Sequence, residues 1–271
     1  MSDILSEMSD TQASPLTKDF KIDLPEDVSF IINTIEKNGH QAYAVGGCVR
    51  DTIMGVTPND WDITTNALPE EVKSYFTKTI DTGIQHGTVT VMLHSTGYEV
   101  TTYRIDGDYL DGRHPSSVEF SDRLTDDLCR RDFTINAMAY NERTGLVDEY
   151  GGIDDINNKV IRCVGRPEER FTEDALRMMR AIRFSAQLGF TIEDNTYKAI
   201  EKLSANIQKV SMERVCVELK KTLMSDNPDF CRLYGTTNLF KDILPQLHDS
   251  FTKRQSKRIL LTCKYSEKEL P

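Results

Sequence analysis

Two aspartates on either side of a tryptophan, Asp60 and Asp62, carry the clearest chemical signal in the sequence. The run that ends at Thr64 alternates polar and apolar residues, which predicts a β-strand with one solvated face. Because residues two apart on a strand share a face, both carboxylates would point to one place, while Trp61 and Ile63 face the core. Two carboxylates on one face suit Mg²⁺, which keeps several waters and takes further oxygen ligands from substrate phosphates.

A glycine pair, Gly46 and Gly47, precedes these aspartates. Without side chains, such residues let backbone N–H groups approach a triphosphate closely. Arg50, on a helix predicted from Val49 to Met54, adds a charged contact. A DxD pair alone or a Gly-Gly pair alone is common in ordinary turns and loops, but the combination favours nucleotide binding.

A third carboxylate, Glu99, is a candidate partner for the aspartate pair. Two β-rich runs, Thr88 to Leu93 and Tyr98 to Arg104, surround Ser95-Thr96-Gly97 and predict a hairpin with Glu99 on its second strand. Glu99 would complete a two-metal site if it reached the aspartates, with metals about 3.5–4 Å apart. A glutamate on the surface of a strand is the alternative.

Arginine is concentrated in one part of a chain whose net charge is −10. Of its 17 arginines, 12 lie between Arg104 and Arg183, and residues 201–271 have a net charge of +4. Guanidinium groups bind phosphates and base edges through paired donors. Arg131 and Asp132 precede an apolar run that begins at Phe133, so they border a predicted core. An arginine at the edge of a core needs a carboxylate or a phosphate as its partner. The alternative to phosphate or nucleic-acid binding is an ordinary solvated surface on which acidic and basic residues are unevenly distributed.

The apolar pattern from Phe171 to Leu188 predicts an amphipathic helix that begins near Thr172. Asp174 and Arg177 lie three residues apart on it and are neighbours on one side. A carboxylate accepts the amino group of cytosine or adenine, and a guanidinium serves ring acceptors, so the pair could recognise a base edge. Arg180 and Arg183 continue in steps of three around the helix. The alternative is a set of helix ion pairs worth about 0.2–0.5 kcal/mol each.

Composition excludes several classes of protein. The 271 residues are 38% hydrophobic and 28% charged and contain no run of 18 apolar residues, as expected for a soluble globular protein without a transmembrane helix. The first ten residues are acidic and lack an apolar stretch, which argues against a signal peptide. Six scattered cysteines without a CxxC pair predict neither a disulfide scaffold nor a zinc site, and they favour the cytoplasm.

Four motifs occur in the order and spacing of one known family. They are Gly46-Gly47-Cys48-Val49-Arg50-Asp51, Asp60-Trp61-Asp62-Ile63, Arg130-Arg131-Asp132-Phe133-Thr134-Ile135-Asn136-Ala137 and Arg170-Phe171-Thr172-Glu173-Asp174-Ala175-Leu176-Arg177. From about Asp23 to at least residue 225, the chain resembles the class II tRNA nucleotidyltransferases (CCA-adding enzymes) and the bacterial poly(A) polymerases.

The resemblance implies an α+β fold: a polymerase β-like nucleotidyltransferase head on a mixed β-sheet, followed by an all-helical neck and a partial helical body. We expect an N-terminal tail over residues 1–22, the head over 23–155, the neck over 156–225 and the start of the body over 226–271. The tail domain of longer relatives would be absent.

The resemblance also implies roles for individual residues. Asp60 and Asp62 hold Mg²⁺ and are catalytic, with Glu99 as a further catalytic candidate. Asp174 and Arg177 fall where the family selects CTP and ATP. Nucleotide contacts are expected from the glycine pair and from the other residues of these motifs, namely Gly46, Gly47, Arg50, Arg131, Asp132, Arg180 and Arg183.

The implied reaction is template-independent addition of C and A to the 3′ end of tRNA, with release of pyrophosphate. A poly(A) polymerase or an A-adding enzyme is the rival within the family. The segment from Asp106 to Phe120, rich in glycine, proline and charge, corresponds to a loop that CC-adding members lack. A non-catalytic RNA-binding relative and a small-molecule nucleotidyltransferase are rivals from other classes.

Overall fold

The computed structural model describes residues 20–107, 117–245 and 248. Its strands are β1 (Ala42–Val45), β2 (Ile63–Thr65), β3 (Thr79–Gly83), β4 (Thr88–Leu93), β5 (Thr96–Thr102), β6 (Arg104–Asp106), β7 (Val118–Phe120), β8 (Ala139–Asn141), β9 (Gly145–Val147), β10 (Val160–Ile161) and β11 (Thr191–Ile192). Its α-helices are α1 (Glu26–Lys37), α2 (Gly47–Ile53), α3 (Pro69–Tyr75), α4 (Leu124–Cys129), α5 (Gly152–Asn157), α6 (Pro167–Glu173), α7 (Leu176–Leu188), α8 (Asp194–Leu203), α9 (Met212–Leu223), α10 (Arg232–Thr236) and α11 (Leu239–Ile243).

A seven-stranded mixed sheet organises the first part of the chain, and the α+β fold class is confirmed. Its strand order is β3-β4-β5-β2-β1-β8-β9. Every neighbouring pair is antiparallel except β2 and β5, which run parallel with Ile63 beside Val100. This parallel pair places the residues that precede both strands at one end of the sheet.

The two faces of the sheet differ in what covers them. Alternate residues of β1 divide between two buried clusters, because neighbours on a strand point to opposite faces. Ala42 and Ala44 join the large core beneath α1, α2 and α3. Tyr43 and Val45 join a small cluster with Leu128 of α4. The second face is thus only partly covered by helix.

The predicted hairpin is confirmed, but its turn differs from the sequence prediction. Leu93 pairs with Thr96, so the turn consists of His94 and Ser95, with φ values of 47° and 68°. Two consecutive residues with positive φ form the tight turn that matches the twist of the strands. Gly97 is therefore part of β5 and not of the turn.

The strand predicted from Asp60 to Thr64 is shorter than expected. β2 begins at Ile63, and Asp60 to Asp62 form the irregular segment that enters it. The carbonyl of Asp62 still accepts a hydrogen bond from the N–H of Val45 at 3.0 Å, which attaches this segment to β1.

The ends of the segment from Asp106 to Phe120 also differ from the loop prediction. β6 and β7 pair antiparallel, with Asp106 beside Val118, and form a two-stranded ribbon. Residues 108–116 lie outside the described residues, as do residues 1–19 of the predicted N-terminal tail. The end of that predicted tail belongs to the core, because Ile22 is fully buried.

The helix predicted from Phe171 to Leu188 is divided into α6 and α7. Asp174 takes extended backbone angles (φ −138°, ψ 106°), and its Oδ1 accepts the N–H of Leu176 at 3.0 Å. A side-chain oxygen that binds the free N–H groups of a helix start stabilises a new helix there. Asp174 therefore ends one helix and starts the next.

Helices dominate the second part of the chain, where α7 packs along α9. This part is not purely helical, because β11 pairs in parallel with β10. In the described residues, no helix combines the length and the apolar character needed to cross a bilayer.

Candidate active site

The two aspartates and Glu99 meet at the end of the sheet where β2 and β5 run parallel. The register of that pair begins with Ile63 beside Val100, and Asp62 and Glu99 each stand one residue before these partners. Asp60 and Glu99 are close enough to Asp62 for their charges to act on it. Trp61 and Ile63 pack on the large core as predicted. The pairing of two strands 37 residues apart, which no local pattern reveals, brings Glu99 to this place.

Asp62 has an unusual protonation equilibrium. Its side chain reaches solvent, yet the protein atoms crowded around it raise its pKa to about 6. Arg131 lowers the pKa, and the like charges of Asp60 and Glu99 raise it. A cation bound between these carboxylates would reduce the repulsion among them.

Gly46 is required where β1 turns into α2. It has φ +85°, and a Cβ at this position would lie 2.8 Å from Nη1 of Arg131. Gly47 meets no such obstacle, since its Cβ would make an ordinary contact of 3.7 Å with Arg50. The bare backbone of Gly46 therefore allows the Arg131 guanidinium to lie directly against it, beside Asp62.

Asp127, a fully buried carboxylate of α4 that lies outside the four motifs, holds Arg131 in place. One of its oxygens accepts from Nη2 of Arg131 at 3.1 Å and from the hydroxyl of Thr64 at 3.2 Å. The other accepts from Arg130 at 2.5 and 3.0 Å. Burial alone would raise the pKa of Asp127, but Arg130 and Arg131 lower it, so the carboxylate stays ionised and orients both arginines.

Phe184 of α7, which also lies outside the four motifs, supports three arginines. The centre of its ring lies 5.1 Å from Cζ of Arg50, 5.3 Å from that of Arg180 and 3.8 Å from that of Arg183. Guanidinium groups within about 6 Å of an aromatic face are attracted to it. In the sequence, Phe184 could be recognised only as one of the apolar residues of this helix, and that pattern does not distinguish a residue of the site from any other core residue.

Asp132, which is buried, forms an ion pair with Arg180, whose side chain is 34% exposed. Oδ2 of Asp132 accepts from Nη2 and Nε of Arg180 at 2.6 and 2.7 Å. Its Oδ1 accepts from the N–H of Phe133 and the amide of Asn136. Burial by itself would raise the pKa of Asp132, but Arg180 and these hydrogen bonds lower it to about 2. Asp132 thus has both oxygens engaged and orients Arg180.

Asp174 and Arg177 do not pair through their side chains, in contrast to the prediction from helical spacing. Arg177 binds Glu173 at 2.6 Å and donates to the backbone carbonyls of Arg130 and Arg170. Oδ2 of Asp174 accepts from Nη2 of Arg214 at 2.8 Å. The helix break at Asp174 rotates its carboxylate away from the side that an unbroken helix would share with Arg177.

Two further predicted contacts, Arg50 and Arg183, have protein partners. Nη1 of Arg50 donates to Asn136 at 2.5 Å, and the other donors of its guanidinium bind Asp51. Arg183 is buried, binding Glu218 of α9 at 2.5 Å and Gln187 at 2.6 Å. Arg183 therefore joins α7 to α9, and its guanidinium is directed toward α9.

The carboxylates fit a divalent cation that is only partly coordinated by protein. Within the ranges that the structure describes, no group of three or more His, Cys, Asp or Glu side chains is placed to hold a metal ion. Asp60, Asp62 and Glu99 are accessible to solvent, and the pKa of Asp62 is raised mainly by the protein atoms crowded around it and further by the charges of Asp60 and Glu99. An open site of hard oxygen ligands suits Mg²⁺, which takes its other ligands from water and phosphate.

Two family models match separate parts of the chain. The model described as "Poly A polymerase head domain" matches residues 42–162. The model described as "Probable RNA and SrmB- binding site of polymerase A" matches residues 189–251. The first covers the sheet and the carboxylates, and the second covers α8 to α11.

Curated relatives and solved structures agree with these family models. A CCA-adding enzyme of Leuconostoc mesenteroides is 54% identical over 198 residues, which cover 73% of this chain and 49% of the relative. One from Lactiplantibacillus plantarum is 50% identical over 221 residues, covering 81% and 54%. The chain spans about half the length of the curated relatives it matches.

Among solved structures, the Bacillus stearothermophilus CCA-adding enzyme in complex with CTP matches with a TM-score of 0.72 and 42% identity. The match covers 78% of this chain and 51% of that one. The Thermotoga maritima CCA-adding enzyme complexed with tRNA matches with a TM-score of 0.67 and 27% identity, covering 81% and 52%.

Proposed function

We propose, from the premise that this chain belongs to the family of CCA-adding enzymes and poly(A) polymerases, that it adds C and A to the 3′ end of tRNA. CTP and ATP are the substrates, and pyrophosphate is released. The observation that carries the proposal is the group formed by Asp60, Asp62 and Arg131 over the bare backbone of Gly46. Carboxylates for a cation and a guanidinium for phosphate are the parts that nucleotidyl transfer needs.

In the proposed mechanism, Asp60 and Asp62 would hold Mg²⁺, and the ion would supply a lower pKa of the attacking hydroxyl and charge stabilisation of the leaving group. Gly46 and Gly47 give the triphosphate room to approach the chain. Arg131 compensates phosphate charge in a fixed position, because Asp127 orients it. Glu99, beside Asp62, is the candidate third carboxylate. Most of the rate then comes from positioning and charge stabilisation.

Nucleotide contacts are also proposed for the residues that surround Phe184. Arg50 and Arg180 lie against its ring, and Asp132 supports the nucleotide contact by orienting Arg180. Arg183 pairs with Glu218, and its proposed contribution is to hold α7 in place. Asp174 supplies the acceptor for the amino group of cytosine or adenine, and Arg177 supplies donors to the base.

The proposed domain organisation keeps the head at residues 23–155, the neck at 156–225 and the start of the body at 226–271. The break between α6 and α7, which carries Asp174, lies in the proposed neck. The proposed compartment is the cytoplasm, which the free thiols of Cys48, Cys129, Cys163, Cys216 and Cys231 support.

Poly(A) polymerase activity is the second candidate, favoured by the description of the family model that matches residues 42–162. A tRNA transcript that lacks its CCA end distinguishes the candidates when it is incubated with labelled CTP, ATP or both. We expect CC from CTP alone, CCA from both, and no long product from ATP alone. A ladder of adenosines from ATP alone would indicate the polymerase.

A matched reaction with EDTA tests the requirement for a divalent cation. We expect no incorporation under that condition, and restoration by excess Mg²⁺. If the protein binds tRNA but incorporates no nucleotide with Mg²⁺ present, the catalytic proposal is wrong and the RNA-binding alternative is favoured.

A further inference from the structure

A row of three side chains crosses β3, β4 and β5 on one face of the sheet. Ile80 of β3 pairs with Thr90 of β4, and Thr90 pairs with Glu99 of β5. Residues that stand opposite each other on antiparallel strands project from the same face, so the three side chains share one face. The next strand beyond Glu99 is β2, which Asp62 immediately precedes. The row therefore leads across the sheet to the carboxylates.

This face of the sheet is open beside Glu99. Val89 and Val100, the chain neighbours of Thr90 and Glu99, are buried in the large core beneath the helices. Because neighbours on a strand point to opposite faces, the row projects away from that core. Glu99 is exposed, and 47% of the surface of Ile80 is in contact with solvent. An apolar surface next to three carboxylates is thus accessible to a ligand.

The surface next to Glu99 is flat as well as apolar. Met92 pairs with Gly97, and a Cβ at Gly97 would lie 2.9 Å from Cγ2 of Thr90 and 3.3 Å from Sδ of Met92. The methyl group of Thr90 and the thioether of Met92 therefore lie against bare backbone. The hydroxyl of Thr90 is engaged with that of Thr82 at 2.8 Å. We call the surface formed by Ile80, Thr90, Met92 and Gly97 the β3–β5 platform.

The β3–β5 platform and the proposed triphosphate contacts lie on opposite sides of the carboxylates. In the order of the sheet, β1 lies on one side of β2, and β5, β4 and β3 lie on the other. Gly46 follows β1 and has the guanidinium of Arg131 against its backbone. The carboxylates at β2 and β5 therefore stand between the pair of Gly46 and Arg131 and the platform.

The geometry of phosphoryl transfer assigns these two sides to different substrates. The attacking and leaving oxygens stand roughly in line on opposite sides of the reacting phosphorus. With pyrophosphate departing beside Gly46 and Arg131, the 3′-hydroxyl of the RNA approaches from the side of Glu99. Ile80 stands two strand spacings, about 10 Å, from Glu99, and a ribose with its base spans a distance of this order. The base of the attacking nucleotide then lies over β4 and β3.

We propose that the β3–β5 platform is the subsite that receives the terminal base of the RNA primer. The inference rests on the proposed function and adds the primer side of the same site. Each nucleotide that is added becomes the next primer end, so the terminal base changes between successive additions. Stacking on an apolar surface accepts any base through its π-face, whereas hydrogen-bonding groups would select one base. The thioether of Met92 also suits contact with an aromatic ring.

An exposed isoleucine without a ligand is the alternative. Single apolar residues are common on protein surfaces, and β3 lies at the edge of the sheet. In that case Ile80 would have no influence on how the protein responds to the base at the primer end. A measurement that depends on this base therefore separates the two explanations.

The experiment combines a change in the protein with a change in the primer. Ile80→Ala and Ile80→Leu are compared with wild type and with the control Leu68→Ala in the 271-residue chain. Leu68 is similarly exposed, at 45%, but it follows the opposite end of β2 from Asp62. The primer is a tRNA transcript that lacks its CCA end and is either intact or abasic at its last ribose, which keeps the 3′-hydroxyl. The measurements are kcat/KM for each primer at saturating CTP, KM for CTP, and equilibrium binding of both RNAs.

We expect Ile80→Ala to lower kcat/KM for the intact primer by about five- to tenfold, the lower end of what one stacked base contributes. The KM for CTP should stay within about twofold of wild type. Loss of the base from the primer should impair wild type at least as much, because it removes every contact of that base. With the abasic primer, Ile80→Ala should cause no further loss, because the two changes remove one contact. Ile80→Leu, which keeps an apolar side chain, and Leu68→Ala should both behave as wild type.

An equal loss with the intact and abasic primers, or no loss with either, in folded Ile80→Ala protein would overturn the inference and leave the proposed function intact. An equal rise in KM for CTP and for the primer would overturn it as well, because the side chain would then act on the incoming nucleotide. Absence of CTP transfer by wild type would contradict the proposed function instead. Binding of the two RNAs then decides the inference: it stands if wild type prefers the intact primer and Ile80→Ala does not, and any other binding result overturns it.

Discussion

The guanidinium of Arg131 lies against the backbone of Gly46, with Nη1 only 2.8 Å from the position that a Cβ would take. The same guanidinium is held by Asp127 and lowers the pKa of Asp62. A glycine, a buried carboxylate and a candidate metal ligand are therefore linked through one arginine. Disturbing any contact of this arginine should affect nucleotide binding.

Gly46→Ala should lower nucleotide affinity by at least about tenfold, because the added methyl group displaces Arg131 by steric overlap. The positive φ of +85° adds a backbone cost of about 1–3 kcal/mol in the free energy of unfolding. The control is Gly39→Ala, which also has a positive φ of +89° but meets no atom within 4 Å. Titration of both variants with CTP and chemical denaturation separate the two effects. Equal CTP affinity in the two variants would show that the contact with Arg131 is unimportant.

Asp62→Asn should reduce nucleotidyl transfer by at least about 100-fold, because a metal site with one charge removed loses several kcal/mol of stabilisation in the transition state. Stability should stay within about 0.5 kcal/mol of wild type or rise, since the change relieves repulsion from Asp60 and Glu99. Asp60→Asn should be similarly inactive. Incorporation of labelled CTP and thermal unfolding test both points, and transfer within tenfold of wild type would contradict the metal assignment.

The ion pair of the buried Asp132 with the partly exposed Arg180 should make the fold sensitive to acid. The pKa of Asp132 is about 2 when folded and about 3.9 when unfolded, so its stabilising contribution is complete above about pH 5 and is lost as the pH falls toward 2. The contribution is about 2–3 kcal/mol. Asp132→Asn should lose about this amount at pH 7 in urea unfolding and show a flatter decline below pH 4. The exposed Asp81→Asn is the control, and an equal effect there would refute the assignment.

Phe184→Leu should weaken nucleotide binding about three- to tenfold, because cation–π contacts with Arg50 and Arg180 are worth about 0.5–2 kcal/mol. Phe190→Leu removes a ring from another buried position and is the matched control. Both variants should lose stability, but only the first should lose CTP affinity beyond about twofold. Calorimetric titration with CTP measures the difference, and similar affinities would show that the ring only fills the core.

Asp174→Asn should relax selection against UTP by about one order of magnitude and keep the helix cap, because asparagine retains an oxygen for the N–H of Leu176. Asp174→Ala removes that oxygen and should lose about 1 kcal/mol as well. The ratio of kcat/KM for CTP and UTP on one primer, together with urea unfolding, distinguishes the two roles. An unaltered ratio in folded Asp174→Asn protein would leave helix capping as the only role of this residue.

The sequence by itself determined the features that depend on neighbouring residues. The alternation around Trp61 predicted a strand at Ile63, and the run from Val49 to Met54 predicted a helix where α2 lies, although α2 begins two residues earlier at Gly47; backbone preference and periodicity act over a few residues. The motif around Arg131 and Asp132 predicted a cluster at the border of a core. The order and spacing of four motifs along the chain were also enough to indicate the family.

The tertiary structure alone decided which distant groups meet. Parallel pairing placed Glu99 beside Asp62, and α9 brought Arg214 to Asp174. Helical periodicity also failed at Asp174, because its contacts with Leu176 and Arg214 stabilise a break that the apolar pattern of the helix does not reveal. The contacts of Asp62 with Glu99 and of Asp174 with Arg214 join residues that are tens of positions apart, and their free energy comes from burial and charge pairing that exist only once the chain is folded.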